Sequence, residues 1–302
     1  MVGSITTDVT AFARRLPVPG ETVLGDDVTM VLGGKGANQA VAAARFGAPT
    51  WMVGCVGDDP FAEICLTGLR GNGVDTGGVR QVAGATGIAH IRVDAAGQND
   101  IVITPLANAR LTPAMVDESL ASLSGQVSVL LLQLEIDAAV TVHAAQAGRA
   151  AGLTVVLDPA PAVPLPETAW SAVDVVTPNE SEATTITGIE VTEVDSAVRA
   201  GGWFLDRGVR RALVTLGGAG GVLVEADRQT GFTAYPVTAV DTTAAGDAFT
   251  GVLGAALALG ASIEAAVGYA TAAGALSVTT PGASPSLPWR TAIDQLCSIR
   301  PG

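Results

Sequence analysis

Short apolar runs alternate with helical stretches along this chain of 302 residues, and that alternation restricts the fold more than any other feature. Thr50–Val56, Val127–Leu132, Thr154–Leu157, Val173–Val176 and Ala212–Leu216 are mostly apolar, while stretches such as Asp137–Ala150 between them carry helical periodicity. A strand that is apolar on both faces needs cover on both. The pattern therefore predicts an α/β fold, a three-layer α/β/α sandwich around a parallel sheet. Two segments break the alternation. Thr22–Leu32, and Gly87–Val93 joined to Asp100–Thr104 through the turn AAGQN, read as antiparallel strands set apart from the main sheet. No Pro/Ser-rich linker, charge block or repeat divides the chain, so residues 1–302 are expected to form one domain with a small appendage. The first strand is expected to be short, because only Met1 and Val2 precede Gly3.

Composition narrows the partners. A formal net charge of -13 and a sequence pI near 4.4 argue against nucleic acid and against anionic membrane surfaces. No apolar run is long enough for a membrane helix, and the N-terminus lacks the basic-then-apolar form of a signal peptide, which points to the cytoplasm. Cys55, Cys65 and Cys297 form no CxxC or metal pattern and read as buried thiols. His90 and His143 are too few and too isolated for a histidine-rich zinc site, and no Ser-centred nucleophile elbow is present.

The chemistry concentrates in Asp241–Gly251, DTTAAGDAFTG. Ala244, Ala245 and Gly246 carry almost no side chain, so their amides can approach a ligand closely, and Ala248–Leu259 continues as an apolar helix. Free amides and the positive end of the helix dipole stabilise phosphate. Asp247 in the first turn could take a proton from an alcohol that attacks phosphorus. An ordinary capped helix start fits the same residues. Gly33–Ala40, GGKGANQA, is a second glycine turn running into a helix, Ala37–Phe46, which Gly47 should end. Lys35, Asn38 and Gln39 bring donors there, and Lys35 is the only lysine in the chain. Asn179 and Glu182 lie three apart at a helix start after Pro178, a spacing that suits either hydrated Mg²⁺ or a capping box. The only lysine is followed by Gly36, which excludes a GxxxxGK[ST] loop, and Gly217–Gly221 leads into another strand, Val222–Glu225, which excludes a dinucleotide fingerprint.

Together the two glycine-to-helix motifs resemble the paired signatures of the PfkB carbohydrate kinases, the ribokinase-like family. The resemblance runs nearly end to end: VGSITTD at Val2–Asp8, PGET at Pro19–Thr22, VGDD at Val56–Asp59, QLE at Gln133–Glu135, DPAPA at Asp158–Ala162, TPNESEA at Thr177–Ala183, VTLGGAGG at Val214–Gly221 and PGASPSLPW at Pro281–Trp289. It implies an ATP-dependent kinase acting on a primary hydroxyl, first of D-ribose, with deoxyribose, a hexose or a nucleoside as alternatives and a non-catalytic sugar sensor as the rival outside enzymes. Asp247 would be the base and the amides of Ala244, Ala245 and Gly246 the anion site. Thr6, Asp8, Gly34, Lys35, Asn38 and Glu135 would surround the sugar, and Asn179, Thr215, Gly217, Gly220, Gly246 and Thr271 the nucleotide. The resemblance further implies Mg²⁺ near Asn179 and Glu182, and K⁺ near Asp241, Thr243, Ser277, Thr280, Gly282 and Ser286. An antiparallel lid from about 8–34 and 86–107 would cover the sugar and clasp a homodimer. Four features depart from the family pattern: Thr6 in place of asparagine, His90 in the lid, TPLAN at Thr104–Asn108, and Thr280-Pro281.

Overall fold

The computed structural model describes residues 1–299; the last three positions of the expected domain, 300–302, lie outside the described residues. From its start the chain forms β1 (Thr6–Phe12), β2 (Asp27–Gly33), α1 (Lys35–Phe46), β3 (Thr50–Val56), α2 (Pro60–Gly71), β4 (Val74–Gln81) and the hairpin β5 (Gly87–Val93) with β6 (Asn99–Thr104). There follow α3 (Pro113–Ser122), β7 (Val129–Leu132), α4 (Ala138–Ala150), β8 (Thr154–Leu157), the single turn α5 (Glu167–Trp170), β9 (Val175–Val176), α6 (Glu180–Thr187), α7 (Val194–Leu205) and β10 (Arg211–Thr215). Two strands, β11 (Gly221–Val224) and β12 (Gln229–Phe232), precede α8 (Ala245–Ala258), α9 (Ile263–Ser277) and α10 (Arg290–Ile299).

The main sheet has the order β12-β11-β10-β9-β8-β7, parallel from β7 to β10 and antiparallel beyond. A parallel pair, β3 and β4, extends it through a single residue: Val2 bridges Val53 on one side and Leu132 on the other. Val2 N donates to Leu131 O at 3.1 Å, and Gly3 N to Val53 O at 3.1 Å. The short first strand is thus a one-residue seam in the sheet. Neighbouring strand residues alternate between two cores, as a period of two requires. Leu131, Val156, Leu213 and Leu223 face a core shared with α1, α8 and α9, whereas Leu130, Val155, Val214 and Val222 face one shared with α4 and α7. This double burial explains the continuous apolar runs and the three layers.

Small residues let the layers come close where the chemistry lies. A Cβ on Gly251 of α8 would sit 2.5 Å from Gln39 O of α1, so the glycine sets how near the two helices approach. β4 is a strand that the sequence pattern does not signal, because Gly77, Gly78 and Arg80 interrupt its alternation. Gly78 is needed there: a Cβ would meet Met52 O at 2.8 Å.

The strands expected to form a lid make a separate sheet of order β2-β1-β5-β6. Its hairpin β5–β6 is antiparallel, as expected, and so is β1–β2. The centre differs from the expected antiparallel arrangement: β1 and β5 run parallel, because the long crossover through α1, β3, α2 and β4 separates them in sequence. The strand read at Thr22–Leu32 begins only at Asp27. Residues before it turn, with Asp26 N donating to Phe12 O at 2.8 Å.

Asn108, from the divergent TPLAN segment, fastens the root of the lid. Its Oδ1 accepts from Ile5 N at 2.9 Å and its Nδ2 donates to Ile5 O at 2.8 Å, so one side chain replaces a neighbouring strand at a position 1% exposed. Asn108→Ala leaves two buried backbone groups unpaired, at about 1–3 kcal/mol each. Urea unfolding should show a loss of roughly 2–5 kcal/mol with the slope unchanged; a loss under about 0.5 kcal/mol would show that the clamp is dispensable.

Candidate active site

Ala244 caps α8 in the left-handed region, with φ 60 and ψ 12. An alanine tolerates that conformation at a modest cost, whereas a β-branched residue does not, so the turn must be built from small residues. A Cβ on Gly246 would meet nothing within 4 Å, which leaves the amide turn open to a ligand. Asp247 follows in the first helical turn and is 4% exposed.

Three donors of α1 converge on that carboxylate. Asn38 Nδ2 donates to Asp247 Oδ2 at 3.0 Å, Gln39 Nε2 donates to Oδ1 at 3.2 Å, and Lys35 Nζ lies 3.7 Å from Oδ1. Lys35 Nζ is equally 3.7 Å from Asp158 Oδ2. Burial alone would lower the Lys35 ammonium, but Asp247, Asp158, Glu135 and Glu182 hold it above its ordinary value. Asn38 Oδ1 is buried without a partner.

On the sugar side predicted from sequence, the glycine turn holds an acidic pair. Gly34, with φ 88, precedes α1, and a Cβ on Gly33 would fall 1.9 Å from Asp8 Oδ1, so Asp8 lies against bare backbone. Burial pushes Asp8 up to about 7, with Glu135 and Asp247 adding to the effect against the bond from Thr6. Thr6 Oγ1 donates to Asp8 Oδ1 at 2.9 Å, so the residue in the asparagine position braces Asp8. Glu135 Oε2 accepts from Ser4 Oγ at 2.7 Å and from Lys35 N at 2.9 Å, which makes it a cap for α1 as well as a wall of the site. His90 pairs in register with Val9 and Val102 and is exposed.

Across Asp247 lies a polar cavity of about 210 Å³, lined among others by Lys35, Asp158, Asn179, Glu182, Ala244 and Gly246. It continues into an apolar cleft of about 380 Å³ lined by Thr215, Gly217, Gly220, Tyr235, Val237 and Thr271, with Gly246 common to both. Asn179 and Glu182 form a complete capping box: Asn179 Oδ1 accepts from Glu182 N and Glu182 Oε2 accepts from Asn179 N, both at 2.9 Å. The cap and the cavity wall are the same residues, so the two sequence readings are compatible. Burial raises Glu182, and it pushes Asp158 up to about 8 against the opposing pull of Lys35. Among the described residues no three His, Cys, Asp or Glu side chains converge to enclose a metal. A hard cation here would need phosphate and water oxygens to complete its shell, which the donor set of Asn179 and Glu182 suits.

Beyond the anion turn, Asp241 ties two loops together, accepting from Thr243 N at 2.9 Å and from Gly282 N at 2.8 Å. Burial works to raise Asp241, but these bonds outweigh it and hold the carboxyl below its ordinary value. Ser277, at the end of α9, and Ser286 are buried, whereas Thr280 is exposed. Of the residues singled out from sequence, Lys35, Asn179, Glu182, Ala244, Ala245, Gly246 and Asp247 line the polar cavity and Thr215, Gly217, Gly220 and Thr271 the apolar cleft, whereas Thr280 and His90 face solvent. Gln39, read from sequence as one of the donors at the second glycine turn, joins the cluster, and so do Asp158 and Gln133, whose only sequence signal is membership of the DPAPA and QLE motifs.

An open amide turn at a helix start, a buried carboxylate beside it, and polar and apolar cavities on its far side define a phosphotransferase with an alcohol as acceptor. Residues 1–290 match the pfkB family carbohydrate kinase model. The chain is 38% identical over 291 residues to a ribokinase of Haemophilus influenzae, covering 96% of this chain and 95% of that protein. It is 34% identical over 290 residues to a deoxyribokinase of Salmonella typhi, covering 95% and 94%. The structure of Arabidopsis thaliana ribokinase complexed with ribose and ATP superposes with a TM-score of 0.91 at 33% identity, covering 98% of this chain and 97% of that one. The chain belongs to the PfkB family of carbohydrate kinases.

The raised carboxylates set a pH signature. Asp8 moves from an ordinary 3.8 to about 7 on folding, so the stability linked to its protonated form is complete below 3.8 and is lost as pH rises through about 7. Asp158 acts in the same direction up to about 8. Ligand-free protein should therefore lose unfolding free energy between about pH 4 and pH 8, and Asp8→Asn should flatten that slope. A stability that climbs over the same range would contradict the assignment.

Proposed function

We propose that the protein transfers the γ-phosphoryl group of ATP to the primary hydroxyl of D-ribose, giving ribose 5-phosphate and ADP. The observation that carries this reading is the position of Asp247, buried between the donors of the glycine-turn helix α1 and the polar cavity at the start of α8. The base moiety of ATP occupies the apolar cleft near Tyr235 and Val237, and its phosphates extend past Thr215 and Gly217 to the turn. Thr6, Asp8, Gly34, Lys35, Asn38 and Glu135 surround the sugar, and the unpartnered Asn38 Oδ1 supplies an acceptor for a sugar hydroxyl.

Asp247 accepts the proton of the hydroxyl as its oxygen bonds to the γ-phosphorus, and the bond from that phosphorus to the β–γ bridging oxygen breaks to release ADP. The amides of Ala244, Ala245 and Gly246 stabilise charge on the transferring group, and Lys35 neutralises the carboxylates that would repel it. Asn179 and Glu182 would hold Mg²⁺, which supplies charge neutralisation of the phosphates. Asp241, with backbone carbonyls near Thr243, Ser277, Thr280, Gly282 and Ser286, would hold K⁺ beside the anion turn; the shared Asp241 links from Thr243 and Gly282 support that grouping. Omission of each cation from the assay tests these two sites.

A second reading, 2-deoxyribose as acceptor, is favoured by Thr6, whose hydroxyl is committed to Asp8 and leaves one polar partner fewer for the sugar. The ratio of kcat/KM for the two sugars separates the readings. No helix among the described residues is long and apolar enough to cross a membrane.

Asp247→Asn should retain sugar and ATP binding while turnover falls by about 10²- to 10⁴-fold, measured as sugar-dependent ADP release. Retention of more than about a tenth of wild-type kcat would remove Asp247 as the base.

The lid closes a homodimer. Val28 and Met30 on β2 and Ile101, Val102 and Ile103 on β6 are exposed, an apolar surface on the two edge strands of a small sheet. Light scattering should report roughly twice the chain mass of 30.1 kDa. A fully active monomer at micromolar concentration would reject the clasp.

A further inference from the structure

Three buried residues beside Asp247 have no part in the reaction as derived above, namely Gln39, Gln133 and Asp158. Gln39 and Gln133 are both 0% exposed, and Asp158 is 3% exposed. The single carboxamide nitrogen of Gln39 donates to Asp158 Oδ2 at 2.8 Å and to Asp247 Oδ1 at 3.2 Å, so each of its two hydrogens is committed to a different carboxylate. Its oxygen accepts from Gln133 Nε2 at 2.6 Å. An amide has two orientations of nearly equal shape, and the wrong one would aim lone pairs at both carboxylates. The donor from Gln133 selects the right one. Gln133 follows β7 directly; its backbone carbonyl accepts from Thr141 Oγ1 at 3.0 Å, its Nε2 also reaches Met1 Sδ at 3.0 Å, and its Oε1 is buried without a partner.

We propose that Gln39 is a positioning residue for phosphoryl transfer: latched by Gln133 and anchored on Asp158, it fixes the plane of the Asp247 carboxylate so that the substrate hydroxyl meets an oriented acceptor. Asn38 and Lys35 approach Asp247 too, but Asn38 sits on the opposite oxygen and Lys35 divides its charge equally between Asp158 and Asp247 at 3.7 Å. Neither of them defines the rotation of the carboxylate by itself. Gln39 does, because it grips one oxygen from a side chain that cannot turn. Gln39 lies in α1 and Asp247 in α8, and the approach permitted by Gly251 places the carboxamide within reach. A shift of about 1 Å in a reacting group can cost on the order of 10²-fold in rate, so orientation of this kind acts on kcat.

This role rests on the reading of Asp247 as the base. The test is steady-state kinetics of Gln39→Met, Gln133→Met and the double variant, alongside Asp247→Asn, with urea midpoints for each. Methionine keeps the length and the unbranched shape while removing the amide. Gln39→Met should lower kcat by about 10- to 100-fold, with KM for sugar and for ATP within about threefold of wild type. Gln133→Met should lower kcat by less, and the double variant should lose no more than Gln39→Met alone, because Gln133 acts through Gln39. A kcat within about threefold of wild type for Gln39→Met, or losses that multiply in the double variant, would overturn the proposal. So would a loss confined to sugar KM, which would mark a merely structural pocket residue. If Gln39→Met does not fold, Gln133→Met decides alone: a lowered kcat with unmoved KM values supports the latch, and an unchanged kcat overturns it. An active Asp247→Asn would instead remove the base reading itself. An inactive Asp247→Asn beside a fully active Gln39→Met removes only the latch.

Discussion

Burying Asp247 at 4% exposure strips a carboxylate of water, and folding can tolerate that only if protein donors replace the lost hydration. All three side chains that do so come from α1, through Lys35, Asn38 and Gln39, so α1 and α8 must pack closely and in one register. Gly251 permits the approach, and Val41, Ala42, Val252 and Ala255 fill the interface with small apolar side chains. The two helices then present their N-termini to the same region. One of them, capped by Glu135 through Lys35 N, faces the glycine-turn pocket, and the other, with its open turn at Ala244 to Gly246, faces the polar cavity. The division of the site into two halves follows from that packing.

Charge distributes unevenly across this arrangement. Glu135, Asp158, Glu182 and Asp247 surround one lysine, and burial lifts Asp8, Asp158 and Glu182 above the ordinary carboxylate range. A ligand-free site in that state is not at its electrostatic optimum. Cationic and hydrogen-bond-donating ligands relieve it, and a polyhydroxyl sugar supplies the donors. Backbone strain at Ala244 belongs to the same pattern, since a left-handed alanine is held in place by the surrounding structure to keep the turn open. Stability elsewhere, in the two apolar cores on either face of the sheet, offsets these local costs.

The strand and helix alternation was legible because both faces of the main sheet are buried, which forces β7, β8 and β10 to be apolar at nearly every position. β4 was not, since its glycines are dictated by tertiary contact with Met52 and leave no periodic signal. Nor was the parallel pairing of β1 with β5, because a crossover joins segments far apart in sequence. In the site, local chemistry marked Asp247 and the small-residue turn before α8, although an ordinary capped helix start fits the same residues. Asn108 was not so marked: an asparagine in a divergent loop gives no sign that its amide will clamp Ile5. Gln133 shows the same limit: Gln39 was read as a donor at its turn, but the residue that orients it lies 94 positions away.

On the proposed function, one buried carboxylate receives the substrate hydroxyl between two halves of the site. The most direct measurement is a crystal structure of the protein with ribose and a non-hydrolysable ATP analogue. The primary hydroxyl should lie within hydrogen-bond reach of an Asp247 oxygen, about 2.6–3.2 Å, with the terminal phosphate at the amides of Ala244 to Gly246. A hydroxyl bonded to Asp158 instead, or a terminal phosphate away from the turn, would contradict it.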